Sequence, residues 1–164
     1  ALGNVNVIAE DLGFLTDGVR RLLYDSGFPG MKVIQFAFDS REESDYLPHN
    51  YEKNCVVYTG THDNDTLCGW YKVLDPEDLK LSQKYMNNAN TPKRQIHWDF
   101  IRLALASVAD LCIIPLQDYL GLGSEARINT PSTLGNNWRW RMKQGCLTKE
   151  LADQIRELTT LYGR

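Results

Sequence analysis

The chain has 164 residues, 43% of them hydrophobic and 24% charged, with a formal net charge of −3. That is the length of one ordinary domain, or of a piece of a larger one, with apolar side chains enough for a core. The charge balance offers no basic stripe for a nucleic acid, no apolar run approaches the roughly 18 residues of a membrane span, and no signal peptide is visible at the N-terminus.

The first predicted element is a strand over Val5-Asn6-Val7-Ile8-Ala9, β-branched and apolar, which breaks to Glu10-Asp11 and Gly13. Thr16 can cap a helix over about residues 17 to 26, with Val19, Leu22 and Leu23 on one face, and Gly27 and Pro29 end it. Met31 to Phe38 reads as a second strand that stops on Asp39. Residues 40 to 54 show no helical period, but they are numerous enough for a crossover between parallel strands. The third strand starts at Cys55-Val56-Val57.

Asp75 followed by Pro76 predicts a helix start, and that helix should run to about Met86. A longer helix is expected over about 95 to 110, with Ile101, Leu105, Val108 and Leu111 packing on a sheet. Cys112 to Leu116 is the fourth strand, although Pro115 fits only its end. Nearly thirty residues from Tyr119 to Gly145 lack periodicity, and they carry Trp138, Arg139, Trp140 and Arg141. Thr148 caps a final helix with Leu151, Ile155, Leu158 and Tyr162 on one face. Cys55, Cys68, Cys112 and Cys146 form no Cys-x-x-Cys pair, and two of them lie in apolar runs, so they read as reduced thiols in a reducing compartment.

The densest polar stretch follows the third strand: Tyr58-Thr59-Gly60-Thr61-His62-Asp63-Asn64-Asp65-Thr66. It is either an Asp/Asn-rich turn before a helix or the rim of a site on parallel strands. Four apolar strands each ending on Glu10, Asp39, His62-Asp63 or Gln117-Asp118 favour the rim. Such βα units describe a (β/α) barrel or an open sheet. No glycine-rich phosphate loop follows a strand, which disfavours the nucleotide-binding open sheet. The reading is half a barrel, since a whole one takes about 250 residues in eight strands.

Carboxylates around such a rim suit proton or glycosyl transfer. Glu10, just past an apolar strand, fits a general acid whose pKa desolvation would raise. Asp63 fits charge stabilisation, with His62 beside it. A metal at His62, Asp63 and Asp65 is disfavoured because neighbours on an extended segment point to opposite faces. Trp138 and Trp140 would share a face and could stack on a sugar, though core packing is the commoner fate of tryptophan.

Ile8-Ala9-Glu10-Asp11-Leu12-Gly13, Gln35-Phe36-Ala37-Phe38-Asp39, Leu47-Pro48-His49-Asn50, the residues 58 to 66, Pro115-Leu116-Gln117-Asp118, Leu120 to Ser124 and Asn136 to Arg141 resemble, in order, the 4-α-glucanotransferases, also called amylomaltase or disproportionating enzyme. The resemblance implies the α-amylase clan and an interrupted (β/α)8 barrel, of which residues 1 to 164 would be the C-terminal half, about strands five to eight. It implies retaining transfer of α-1,4-glucan segments, with Glu10 as acid/base, Asp63 as transition-state stabiliser and His62 as its sugar-binding neighbour. Phe36 would line the acceptor side, and Asn129 would contact the donor.

The family's nucleophile lies in an Arg-x-Asp-His-Phe motif that this sequence lacks, and neither Asp39 nor Asp118 matches it. The missing N-terminal half of the barrel is therefore an implied partner, beside glucans and maltooligosaccharides. The family usually has glycine after the Asn-Thr-Pro turn, where Ser132 stands here. No cofactor or metal is implied, and the expected compartment is the cytoplasm, or the plastid for a plant or algal source. A glucan-binding half-barrel without turnover and a hydrolase of the same clan are the alternatives.

Overall fold

The computed structural model describes residues 5 to 13 and 15 to 164. Helix α1 (Asp17–Ser26) is followed by strand β1 (Gly30–Val33), strand β2 (Cys55–Tyr58), and helices α2 (Leu67–Val73), α3 (Pro76–Met86) and α4 (Ile96–Leu105). Strand β3 (Leu111–Ile113), the short helix α5 (Leu116–Tyr119) and helix α6 (Lys149–Leu161) complete the strands and α-helices of the described residues. The three strands form one parallel sheet in sequence order, with Gly30 opposite Cys55 and Val56 opposite Leu111.

Burial follows from this layering. Val57 is fully buried at the centre of the sheet, where α4 brings Phe100, Ile101 and Ala104 down onto it. Phe100 anchors an aromatic cluster, with Trp70, Tyr71 and Phe38 edge-on at 5.3, 5.8 and 5.9 Å between ring centres. Edge-on contacts of this kind add roughly 0.5–1.5 kcal/mol each to the burial itself.

Local signals set most boundaries. Thr16 and Thr148 accept the Val19 and Leu151 amides, Asp75 accepts that of Glu77 with Pro76 in the first turn, and Gly27 closes α1 at φ 66°. Helix α4 stops at Leu105, short of the expected 110, and Val108 and Leu111 are exposed. The Ser107 hydroxyl returns to the Ala104 carbonyl, and the Arg164 guanidinium gathers the carbonyls of Leu105, Ser107 and Ala109. Those acceptors have no partner further along a helix.

The second expected strand ends at Val33, because Ile34–Phe36 turns into a 3-10 helix. Pro115 closes β3 and caps α5, so Leu116, Gln117 and Asp118 are helical. The predicted strand over 5 to 9 is not a strand. Residues 5 to 8 carry no regular secondary structure and are exposed, and among the described residues one backbone bond ties the segment to the residue before β1, Ala9 N–H to the Pro29 carbonyl at 2.9 Å. The next available amide, that of Met31, donates instead to the Asp11 carboxylate at 2.6 Å. Gly30 permits that approach, since a Cβ there would stand 2.6 Å from Asp11 Oδ2. A side chain thus takes the place of a backbone rung, and the ladder ends after one bond.

No helix of the described residues is long and apolar enough to cross a membrane. All four cysteines are free, and burial pushes the Cys112 thiol up to about 11.

Candidate active site

The segment between β2 and α2 is held from both ends by one buried carboxylate. Asp118, 2% exposed, accepts the Thr59 hydroxyl at 2.6 Å and the Leu67 amide at 2.8 Å. Burial pushes its pKa up to about 6, against the two hydrogen bonds that pull it down. Inside the segment, Asn64 Oδ1 accepts both the amide and the hydroxyl of Thr61. Thr66 caps α2 by accepting the Gly69 amide, a helix that the sequence reading missed for want of periodicity over Leu67–Val73.

Asp65 turns into a knot of hydrogen bonds. It accepts the Thr66 amide and the Ser124 hydroxyl, while its carbonyl takes the Gln35 amide at 2.8 Å. Gly69 makes room for this knot, because a Cβ there would stand 2.4 Å from Ser124 Oγ and 2.6 Å from Asp65 Oδ2. Among the described residues no group of three or more His, Cys, Asp or Glu is arranged around a metal position.

Asp63 is fixed by a second set of bonds from the long segment after α5. Arg127 donates to the Asp63 carbonyl at 2.6 Å and to the Asn129 carbonyl at 2.8 Å. The Asn129 amide returns to the His62 carbonyl at 3.1 Å, and its carboxamide donates to Asp63 Oδ1 at 2.6 Å. Asn129, expected at a donor site, is the partner of Asp63 and does not itself line the cleft described below. Arg127 was not singled out in the sequence, where a lone arginine in an aperiodic stretch carries no signal. His62 Nε2 lies 3.2 Å from the same carboxylate oxygen. The two side chains converge, contrary to the extended geometry assumed above, because residues 61 to 64 form a turn.

Trp138 covers this pair. Its indole lies 5.0 Å from the His62 ring, tilted by 36°, and the residue is 57% exposed rather than part of the core. Its φ of 64° is unusual for a bulky residue, and its amide N–H donates a hydrogen bond to the Ile128 carbonyl at 2.7 Å. Ser132 likewise adopts φ 61°, the left-handed conformation in which glycine is cheapest.

Glu10, Phe36, His62, Asp63, Gln117 and Pro131 all line one cleft of about 910 Å³ at the carboxyl ends of the strands. Phe36 presents an exposed ring there, braced edge-on by Tyr46 at 5.5 Å. Glu10 is exposed, so the described residues do not supply the desolvation invoked for it. Asp39 belongs elsewhere: it pairs with Arg41 at 2.6 Å, which lowers its pKa to about 2. A cleft with two carboxylates, one after β2 and one on the segment beside β1, an aromatic wall and hydrogen-bonding side chains suits a polyhydroxylated substrate and proton transfer to an oxygen.

A family model described as 4-alpha-glucanotransferase matches residues 1–148. The 4-alpha-glucanotransferase of Clostridium butyricum is 50% identical over 164 residues, covering 99% of this chain and 33% of its own length. The chloroplastic/amyloplastic 4-alpha-glucanotransferase of Solanum tuberosum is 46% identical over 167 residues, covering 100% and 29%. Among solved structures, an amylomaltase from Streptococcus agalactiae in complex with acarbose superposes with a TM-score of 0.92 at 39% identity, over 99% of this chain and 33% of that one. An amylomaltase from Corynebacterium glutamicum shares the fold at 15% identity, with a TM-score of 0.70 over 93% of this chain. The chain spans about a third of the length of the curated relatives it matches.

Proposed function

The chain belongs to the 4-alpha-glucanotransferase family, and from that premise we propose that residues 1 to 164 are the C-terminal half of an interrupted (β/α)8 barrel, carrying the acid/base side of a retaining glucan transfer. The observation that carries the reading is the shared cleft: Glu10 and Asp63 line it together with His62 and Phe36. The three parallel strands, with the Ala9 segment tied to the outer edge of β1, suit strands five to eight of such a barrel.

In this mechanism an aspartate from the other half of the barrel attacks the anomeric carbon of an α-1,4-glucan, and Glu10 gives its proton to the departing glucan oxygen. The acceptor glucan enters past Phe36. Glu10, now ionised, removes the proton from the acceptor hydroxyl, which attacks the glucosyl-enzyme and regenerates the acid. Asp63 adds negative charge beside the oxocarbenium-like centre, oriented by Asn129, Arg127 and His62. No cofactor takes part. The partner is the rest of the barrel, and the compartment is the cytoplasm, or the plastid in a plant.

The test uses the full-length protein with maltotriose. The expected products include longer maltooligosaccharides, whereas glucose and maltose alone would mark a hydrolase. Glu10→Gln should abolish this transfer yet still form the covalent intermediate from a glucosyl donor with a very good leaving group, which departs with little protonation. A donor of that kind as unreactive as maltotriose, with binding intact, would remove Glu10 from the acid role. Asp63→Asn should lower turnover by orders of magnitude and ground-state binding only modestly. Residues 1 to 164 alone should not transfer, since a retaining site needs a second carboxyl about 5 Å from the acid. Turnover by the isolated chain, verified as a monomer, would overturn the half-barrel reading.

A further inference from the structure

A second cleft, of about 580 Å³, opens where the segment after α3 meets α4 and α6, and it shares no lining residue with the Glu10–Asp63 cleft. Its lining includes Asn88, Gln95, Trp98, Asp99, Arg102 and Gln154. The size falls within the roughly 300–1,000 Å³ of small-molecule sites. Its chemistry is distinctive. Carboxamides both donate and accept, as sugar hydroxyls do, and the single carboxylate and single guanidinium among these six cancel in charge. Neither an anion nor a cation is favoured. Trp98 is partly buried against Tyr119, 5.9 Å between ring centres, which gives the floor a rigid aromatic element.

Asn88 supplies an independent observation. It is 8% exposed and donates to Asp99 at 2.8 Å, which fixes its carboxamide, yet its Oδ1 is buried with no hydrogen-bond partner. Buried polar atoms are normally paired, and an orphan costs roughly 1–3 kcal/mol. Asn88 is thereby a fixed carboxamide in the wall of a neutral polar cleft, its NH2 group committed to Asp99.

We propose that this cleft binds a neutral oligosaccharide, specifically a glucan segment distant from the one being cut. The proposal rests on the glucanotransferase reading for the identity of the sugar. Its consequence is bivalency: a glucan long enough to reach both clefts is held by both, so the second contact is intramolecular and raises affinity for long chains without touching short ones.

The experiment compares the full-length protein with the triple variant Gln95→Ala, Arg102→Ala, Gln154→Ala, whose side chains are exposed and outside the proposed transfer machinery. Retardation in native gels containing amylose should weaken about fivefold or more in the variant, and the KM for amylose should rise alike, while kcat/KM for maltotriose stays unchanged. In the unaltered protein, maltoheptaose should slow amide exchange at residues 87 to 102. Equal retardation of variant and parent, or no slowing of exchange there, would overturn the second site. Failure of the unaltered protein to disproportionate maltotriose would instead overturn the transferase reading, and retardation by amylose that depends on the three side chains would still stand.

Discussion

The two carboxylates of the proposed site are held in opposite ways. Asp63 sits in a turn tied at both ends by Asp118 and braced by Arg127, Asn129 and Asn64, all from this chain. Glu10 lies on a segment that, among the described residues, is tied to β1 and the residue before it by one backbone bond and one carboxylate bond, with residues 5 to 8 exposed. The difference teaches where positional information resides. A turn over-determined by many bonds carries its own geometry, while a segment with few of them takes its geometry from what lies on both of its sides.

Amide exchange offers the largest test of this contrast. The amides of Leu67 and Gly69 should exchange about a thousandfold more slowly than those of residues 5 to 8, reflecting roughly 4 kcal/mol between local opening and near-global opening. Similar rates at both places would dissolve the comparison.

Next in size is Asp118→Ala, which strands the Thr59 hydroxyl and the Leu67 amide in the core. A loss of about 2–5 kcal/mol in urea unfolding is expected. Ionisation of the same residue gives a pH signature. Its folded pKa is about 6, above the usual 3.8, so the folded state favours the protonated form. Its contribution to stability is complete below about pH 4 and is lost as pH rises through about 6, by roughly 3 kcal/mol. Asp118→Asn should flatten that part of the stability profile, measured as the urea midpoint at a series of pH values.

On the weaker side, Asp11→Ala removes the acceptor of the Met31 amide. A cost of about 1 kcal/mol is expected, because water can replace the carboxylate at this half-open edge, together with faster exchange at Ala9. The smallest effect belongs to Ser132→Gly. Relief of the left-handed strain is offset by greater freedom of the unfolded chain, so the unfolding midpoint should shift by less than about 1 kcal/mol. A larger change would show that the turn is held by more than its own backbone.

Helix ends were legible because capping is local chemistry: Thr16, Asp75-Pro76 and Thr148 name their helices, and Gly27 closes one. Strand ends were less so. Nothing within Met31 to Phe38 announces the turn at Ile34, and the apolar Val5 to Ala9 has the composition of a strand without a ladder to join. The cleft residues Glu10, Phe36, His62 and Asp63 were named from motif and strand ends, and all four line it. What stayed hidden was the bracing, since Arg127 and Asp118 act on residues more than fifty positions away. Contacts of that range leave no periodicity to read.

The indole of Trp138 against His62 also makes the site optically accessible. Of the four tryptophans, Trp70, Trp98 and Trp140 are partly buried, whereas Trp138 is 57% exposed and should dominate the red edge of the emission. Red-edge intensity and wavelength therefore report the surroundings of the Trp138–His62 contact. If the cleft takes glucan as proposed, the same signal shifts on addition of maltotriose without any label, and an unchanged spectrum at saturating sugar would count against that assignment.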